Sequence, residues 1–461
     1  MANSDYSALV ASQREFFLSG VTRPAAWRKA QLEAVKALFT DNHDELCDAL
    51  WKDLRRNVID ADLIDVAYCA KEAEYALKHL DIWMKPVREP MPVAFKPGHI
   101  LVHRDPLGVA LIIGAWNEPF MLTFGPLAAA LAAGNTAVLK PSEISAACAA
   151  AAVRLVPKYF DPRAVAVVEG GVPETTALLA QKWDMIFFTG SPPVGKIVHQ
   201  AAAENLTPCV LELGGKNPTI VHSSANLKVA ARRIAYGRFL NSGHVCTAPD
   251  HVLVWPEVKD EFVQRIADTI REFYGDDPQQ SPDYGRVING RNFDRLVALL
   301  GSGKAAVGGQ SDAADLYIAP TVLVDVAVDS PIMQEEIFGP ILPVLEVASV
   351  EAVVEWINSR PSPLGLYVFA EDNAVVDRIL AATRSGDAEV NDCAIHPLFP
   401  ELPFGGVGNS GMGKYHGHWG FEAFTNARGV LHHSTLVDPG VRYPPYAKHG
   451  LERVIVNKLM P

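Results

Sequence analysis

Three turns of this 461-residue chain carry side chains able to act together on a carbonyl group. Cys246 stands just after the Gly turn in Asn241-Ser242-Gly243-His244-Val245-Cys246. Upstream, Glu212-Leu213-Gly214-Gly215-Lys216-Asn217-Pro218 sets a carboxylate on a glycine-rich turn, and Gly114-Ala115-Trp116-Asn117 ends an apolar run with an amide. A thiol nucleophile, a carboxylate base and an amide donor are the parts needed to add to a carbonyl and hydrolyse a thioester. Alone, a cysteine more often serves as a small buried hydrophobe, and Asn117 alone could be a strand-end turn residue. Leu211-Glu212-Leu213 is less bland, because a surface turn rarely flanks an acid with apolar residues. Burial there predicts a raised pKa, as a base working near neutrality requires.

The rest of the chain reads as the scaffold for these turns. Residues 6–84 read as helices, with Leu32, Val35, Leu38 and Phe39 recurring at helical spacing. The stretch 86–97 is proline-rich and extended, and 93–102 alternates as a strand or hairpin does. Val109–Ile113 is a continuous apolar run, the mark of a parallel strand covered on both faces. A helix at 126–133, a strand at 136–139, an alanine-rich helix capped by Ser145, and strands at 165–168 and 185–188 continue a βα alternation. There is no strict GxGxxG; Phe188-Thr189-Gly190-Ser191-Pro192-Pro193-Val194-Gly195 instead opens a helix straight after a strand, a placement suited to a pyrophosphate. A second alternating unit starts after Glu212, with 281–312 reading as loops, and the alternation stops after Asn391. The pattern predicts an α/β protein of two doubly wound parallel-sheet domains plus a small bridging element.

In this order, the three motifs resemble those of the NAD(P)-dependent aldehyde dehydrogenases, and most of all their class 3 branch. Pro106-Leu107-Gly108-Val109, Asp283-Tyr284-Gly285-Arg286, Leu402-Pro403-Phe404-Gly405-Gly406-Val407-Gly408 and Arg442-Tyr443-Pro444-Pro445-Tyr446 point to that branch, in register from about residue 100 to 446. The resemblance implies an NAD-binding domain from residues 1–85 and 104–211, and a catalytic domain from 212–391. Residues 86–103 and 392–461 would form a bridging or oligomerisation element and tail, and a homodimer is implied. Cys246 would be the nucleophile, Asn117 an oxyanion donor beside the Cys246 N–H, and Glu212 the base that activates water against a thioester.

For the cofactor, the resemblance implies Gly190, Ser191 and Gly195 at the pyrophosphate and Lys140, Ser142 and Glu143 at the adenosine ribose. Trp116, Leu213 and Gly214 would also meet it, with Glu336 and Phe338 at its nicotinamide end. A carboxylate at position 143 accepts both ribose hydroxyls and repels a 2′-phosphate, so NAD is expected ahead of NADP. Glu118, Met121, His244 and His396 are candidates for the aldehyde pocket. Two of these depart from the branch. His244 stands where a Gln is usual, and either tunes the thiolate or fills space. Glu118 stands where an aromatic residue is usual, and either favours polar or cationic aldehydes or is salt-bridged and points elsewhere.

Composition excludes several rival classes. The net charge of −12 lacks the positive field that phosphate backbones require, so no nucleic-acid partner is expected. Arg55-Arg56 and Arg232-Arg233 read as solvated helix faces. Six cysteines without a CxxC pair fit free thiols in a reducing compartment. No secretion signal and no apolar run near ~20 residues is found, so a cytoplasmic protein without a membrane span is expected. His416-Gly417-His418 and His432-His433 lack a Cys or acidic partner at ligand spacing, so no metal is expected. Two rivals remain: a CoA-acylating or reductive relative, which has little use for Glu212, and a non-catalytic nucleotide-binding protein of the same fold.

Overall fold

The computed structural model describes residues 5–92, 95–438 and 443–445; Arg442 and Tyr446 of the last motif, and residues 93 and 94 of the expected strand, lie outside them. Among the described residues, a six-stranded sheet has the order Gly411–Met412, Cys209–Leu213, Met185–Gly190, Val109–Ile113, Thr136–Lys140, Val165–Val167. Only its first strand runs antiparallel to its neighbour. Within Val109–Ile113, Val109, Leu111 and Ile113 pack with Leu178, Ile186 and Val198, whereas Ala110 and Ile112 pack with Leu127, Leu131 and Leu155. Both faces are therefore dry, which is why the strand reads as one apolar run.

A seven-stranded sheet takes the order Lys304–Val307, Thr321–Val324, Ile341–Glu346, His251–Val254, Pro218–Val221, Gly365–Phe369, Asp387–Val390. It is parallel except at Lys304–Val307. Val87–Glu89, Gly98–Pro106 and Thr425–His433 form a separate antiparallel sheet in which no residue is fully buried. Helices Ala25–Asp41 and Val66–Trp83 pack on Met121–Ala133, so the N-terminal helices back the first sheet. No described helix is long and apolar enough to cross a membrane.

The structure differs from the sequence expectation in three places, which long-range contacts explain, and it adds a helix within the loop-containing stretch 281–312. The helix expected at 126–133 begins at Met121, because Asp65 Oδ1 accepts the N–H groups of Phe120 (2.9 Å) and Met121 (2.6 Å). Ser145 makes no side-chain cap on helix Ala146–Tyr159; its hydroxyl donates to the Ser142 carbonyl. The cap comes from Asp53 on another helix, whose carboxylate accepts from Ala147 (3.1 Å) and Cys148 (2.9 Å). The region expected as loops contains helix Gly290–Leu300, which buries Phe293, Leu296 and Leu299 and is capped by Asn289. Finally, much of the segment after Asn391 returns to the first sheet. Phe404, Tyr415, Phe421 and Phe424 are buried in that sheet's core, and among the described residues of the segment only Thr425–His433 joins the separate sheet.

The exchange of caps is testable by mutation. Asp53→Ala is expected to cost about 1 kcal/mol of stability, read as a lowered thermal unfolding midpoint. Ser145→Ala should lower the midpoint by less than half as much. An equal effect of the two would return the capping role to Ser145.

Candidate active site

The turn bearing Cys246 joins helix Leu227–Phe239 to strand His251–Val254. Asn241 (φ 51°), Ser242 (φ 51°) and Gly243 (φ 76°) are left-handed in succession. Strain of about 1–3 kcal/mol at each non-glycine position persists only where surrounding contacts over-determine the backbone. Here they do. Asn241 Nδ2 donates to the Asn117 carbonyl (2.9 Å) and, at 3.3 Å, to that of His244, while its Oδ1 accepts from Arg56 Nε at 3.3 Å. Gly243 admits no side chain, since a Cβ would lie 2.3 Å from the Gly339 carbonyl oxygen. On the other side of Cys246, Asn217 Nδ2 donates to the carbonyls of Cys246 (2.8 Å) and Ala248 (3.0 Å), and Asn217 Oδ1 accepts from Gly365 N at 2.8 Å.

Asn117 follows strand Val109–Ile113, where parallel sheets present functional groups. A buried ion pair, Arg56 with Asp65, fixes its loop. Arg56 donates to the Asn117 carbonyl and to Asp65, while Asp65 receives the Phe120 and Met121 N–H groups. Arg56 is thus no solvated helix residue, although Arg55 is exposed, its guanidinium 5.3 Å from the Trp51 ring centre. Asn117 Nδ2 donates to the His244 carbonyl (3.0 Å) and contacts Glu118 Oε2 at 3.4 Å.

Glu212 lies on strand Cys209–Leu213, opposite Gly411. It is 3% exposed, and both of its oxygens are buried without a hydrogen-bond partner. A Cβ on Gly405 (φ 153°) would come within 2.8 Å of its Oε1, so the chain passes close by. Burial pushes the Glu212 carboxyl well above its ordinary range, with Lys414 acting against that rise. Burial likewise raises the Cys246 thiol, and the charges of Glu118, Glu336 and Glu212 raise it further.

On the other side of Cys246, the His244 ring lies 5.1 Å from that of Trp116 and 6.0 Å from that of Phe338. Both of its nitrogens are unpartnered, and burial lowers it to about 3, so it is neutral and fills space between two rings. Glu336 packs against Gly214 so closely that a Cβ there would lie 2.0 Å from its carboxyl oxygen. Its loop is held by Lys216, which donates to the Ile332 and Glu335 carbonyls at 2.8 Å each, and by Asp250, which accepts from Ile337 N at 2.9 Å. Further along the first sheet, Lys140 is buried, donates to the Pro141 carbonyl (2.8 Å) and reaches Glu143 at 3.5 Å. Ser142 Oγ accepts from Ile144 N at 3.3 Å. Gly190 and Ser191 lead into helix Pro192–Ala203, whose Gly195 packs so tightly that a Cβ would meet Leu213 at 2.6 Å.

A pocket beside Cys246 is lined by Glu118 and Met121, whereas His244 and His396 are not on its wall. His396 is buried behind it, its Nδ1 2.6 Å from Glu389 Oε1. Sequence reading missed Arg56, Asp65 and Asn217. Asn217 stood within a motif already singled out, but nothing local to residues 56 and 65 signals that they meet at Asn117.

Comparison with known proteins adds the family to this description. A family model described as aldehyde dehydrogenase family matches residues 1–430. The chain is similar to the mouse (Mus musculus) aldehyde dehydrogenase, dimeric NADP-preferring, at 46% identity over 448 residues, covering 96% of this chain and 98% of that one. It is similar to human (Homo sapiens) aldehyde dehydrogenase family 3 member B1 at 47% identity over 445 residues, covering 96% and 95%. The substrate-bound structure of Staphylococcus aureus AldH superposes with a TM-score of 0.95 at 42% identity, covering 98% of each chain.

Two outcomes are expected. Arg56→Met leaves Asp65 as an unpaired buried charge and should cost about 3–5 kcal/mol, whereas Arg56→Met with Asp65→Leu should recover much of that loss in a denaturant-unfolding series. Alkylation of Cys246 by iodoacetamide in the cofactor-free protein should keep rising with pH through 9, because a raised thiol pKa leaves little thiolate below it. A plateau near pH 7 would contradict this.

Proposed function

This chain belongs to the aldehyde dehydrogenase family and is an NAD(P)-dependent enzyme; from that premise we propose that it oxidises an aldehyde to its carboxylic acid through an acyl group carried on Cys246. The observation that carries the proposal is the pair of unpartnered Glu212 oxygens in a dry site shared with the thiol. Buried polar atoms are nearly always hydrogen-bonded, so an orphaned carboxyl calls for a functional reason. A base awaiting water is such a reason.

Cys246 gives its proton up to solvent, Sγ adds to the aldehyde carbon as the C=O π bond opens, and the oxygen that gains negative charge is met by the Cys246 N–H and Asn117 Nδ2. Asn117 can serve because one of its present contacts, Glu118 at 3.4 Å, is long and readily exchanged. Bound NAD(P) supplies the acceptor for the hydride that leaves this carbon. A thioester then remains on Cys246. Glu212 takes a proton from water as its oxygen attacks the thioester carbonyl; the C–S bond breaks, and the acid departs.

The residues around the first sheet fit the cofactor. Glu143 is flanked by exposed apolar side chains, Ile144 and Val172, with Val194 and Ile197 on the adjoining helix, a cradle suited to an adenine. Gly190, Ser191 and Gly195 would bind the pyrophosphate, Lys140, Ser142 and Glu143 the ribose, and Glu336, Phe338, Trp116, Leu213 and Gly214 the nicotinamide end. Glu143 favours NAD, while its half-exposed carboxyl can swing aside for the extra phosphate of NADP. The two sheets and the separate sheet would correspond to cofactor, catalytic and bridging domains. Because the separate sheet buries neither face, we assign it to a homodimer contact, consistent with the relative named dimeric. Free thiols at all six cysteines support a cytoplasmic location.

Cys246→Ala should abolish reduced-cofactor formation with any aldehyde. Glu212→Gln should release about one reduced cofactor per site in a burst and then stall, with the acyl group on Cys246 visible by mass spectrometry. Undiminished steady turnover of Glu212→Gln, faster still with coenzyme A, would favour the acyl-transfer reading instead.

A further inference from the structure

The pocket that meets Cys246 is largely apolar, its walls including Met121, Leu122, Leu240, Leu398 and Phe404. One carboxyl breaks that lining. Glu118 is 5% exposed, and the only partner its oxygens show is the long contact to Asn117 Nδ2. On the same wall, the Tyr415 hydroxyl is buried without a hydrogen-bond partner. Two other buried acids are well met, Asp65 by Arg56 and two N–H groups and Glu72 by Gly417 N at 2.8 Å, whereas Glu212, like Glu118, is not. No ion pair reaches Glu118 among the described residues, so it does not point elsewhere into a salt bridge.

A carboxyl with one long contact and an unmet hydroxyl on an apolar wall each carry a desolvation cost that a ligand's polar group would offset. We propose that Glu118, with Tyr415, selects aldehydes that carry a hydroxyl group away from the carbonyl. The assignment rests on the aldehyde-oxidising reading above. A hydroxyl fits better than an ammonium, because a cation entering this pocket would lose its hydration against a single carboxyl. Burial also raises Glu118 to about 8, which leaves it protonated near neutrality and able both to give and to accept a hydrogen bond.

The test compares ω-hydroxyaldehydes of increasing length with alkanals and ω-aminoaldehydes of equal heavy-atom count. Each kcat/KM is expressed as a ratio within one variant, so any general loss through Asn117 cancels. The intact protein should prefer a hydroxylated aldehyde over its alkyl match by about tenfold or more. Glu118→Leu should bring that ratio close to one, while Glu118→Gln and Tyr415→Phe should each keep part of it. Calorimetric binding of each ω-hydroxy acid product against its alkyl counterpart gives the same comparison without turnover. A Glu118-dependent preference in binding, with no aldehyde oxidised, would sustain the subsite and overturn the dehydrogenase reading. Equal ratios in the intact protein and Glu118→Leu would overturn the subsite and leave the dehydrogenase standing. A preference for ω-aminoaldehydes that Glu118→Gln removes would overturn the hydroxyl assignment in favour of an ionised carboxylate reading a cation.

Discussion

Arg56 and Asp65, neither in reach of water, hold together the three segments that make this site. The guanidinium reaches the Asn117 carbonyl, Asn241 Oδ1 and Asp65, and the carboxylate caps the helix that follows Asn117. Such a pair is weak evidence for stability, since removing two ions from water costs as much as their attraction returns. Its value lies in geometry. A fully met buried network has one low-energy arrangement, and this one couples the amide donor to the strained turn that aims the thiol. The left-handed run at 241–243 and the placement of Asn117 are therefore one structural decision rather than two.

The sequence shows the groups proposed to react more plainly than what holds them. Cys246, Glu212 and Asn117 sit in motifs whose residue types and glycines are readable locally, and the apolar run at Val109–Ile113 announces its two-sided burial. Interactions across long sequence distances leave no such trace. Asp53 replaces Ser145 as a cap, Asp65 moves a helix start to Met121, and Arg56 passes for a surface residue because its partners lie far along the chain. Helix Gly290–Leu300 was hidden by polar residues between Phe293, Leu296 and Leu299. His396 looked like a pocket residue because of where it falls in the chain, yet Glu389 draws its ring behind the wall.

The field around the thiol is a second organising feature. Burial disfavours charge on Cys246 most, and the nearby acids add to it wherever they ionise, so the resting thiol keeps its proton. In the proposed reaction, the Asn117 amide and the Cys246 N–H would instead meet the oxygen that becomes negative. A site arranged this way spends its polarity on the transition state and little on the ground state. It also keeps a reactive sulfur quiet when no aldehyde is present.

Glu212 sits on a strand whose outer neighbour, Gly411–Met412, comes from near the far end of the described chain, together with Gly405 and Lys414. A ribosome delivers a protein from its N-terminus. The cofactor sheet and the Cys246 turn thus emerge while the edge beside Glu212 is still unsynthesised and that carboxyl is still wet. The nascent chain exposes the thiol before its acidic neighbour is covered, and a late strand, Gly411–Met412, is the one that closes the sheet edge beside Glu212.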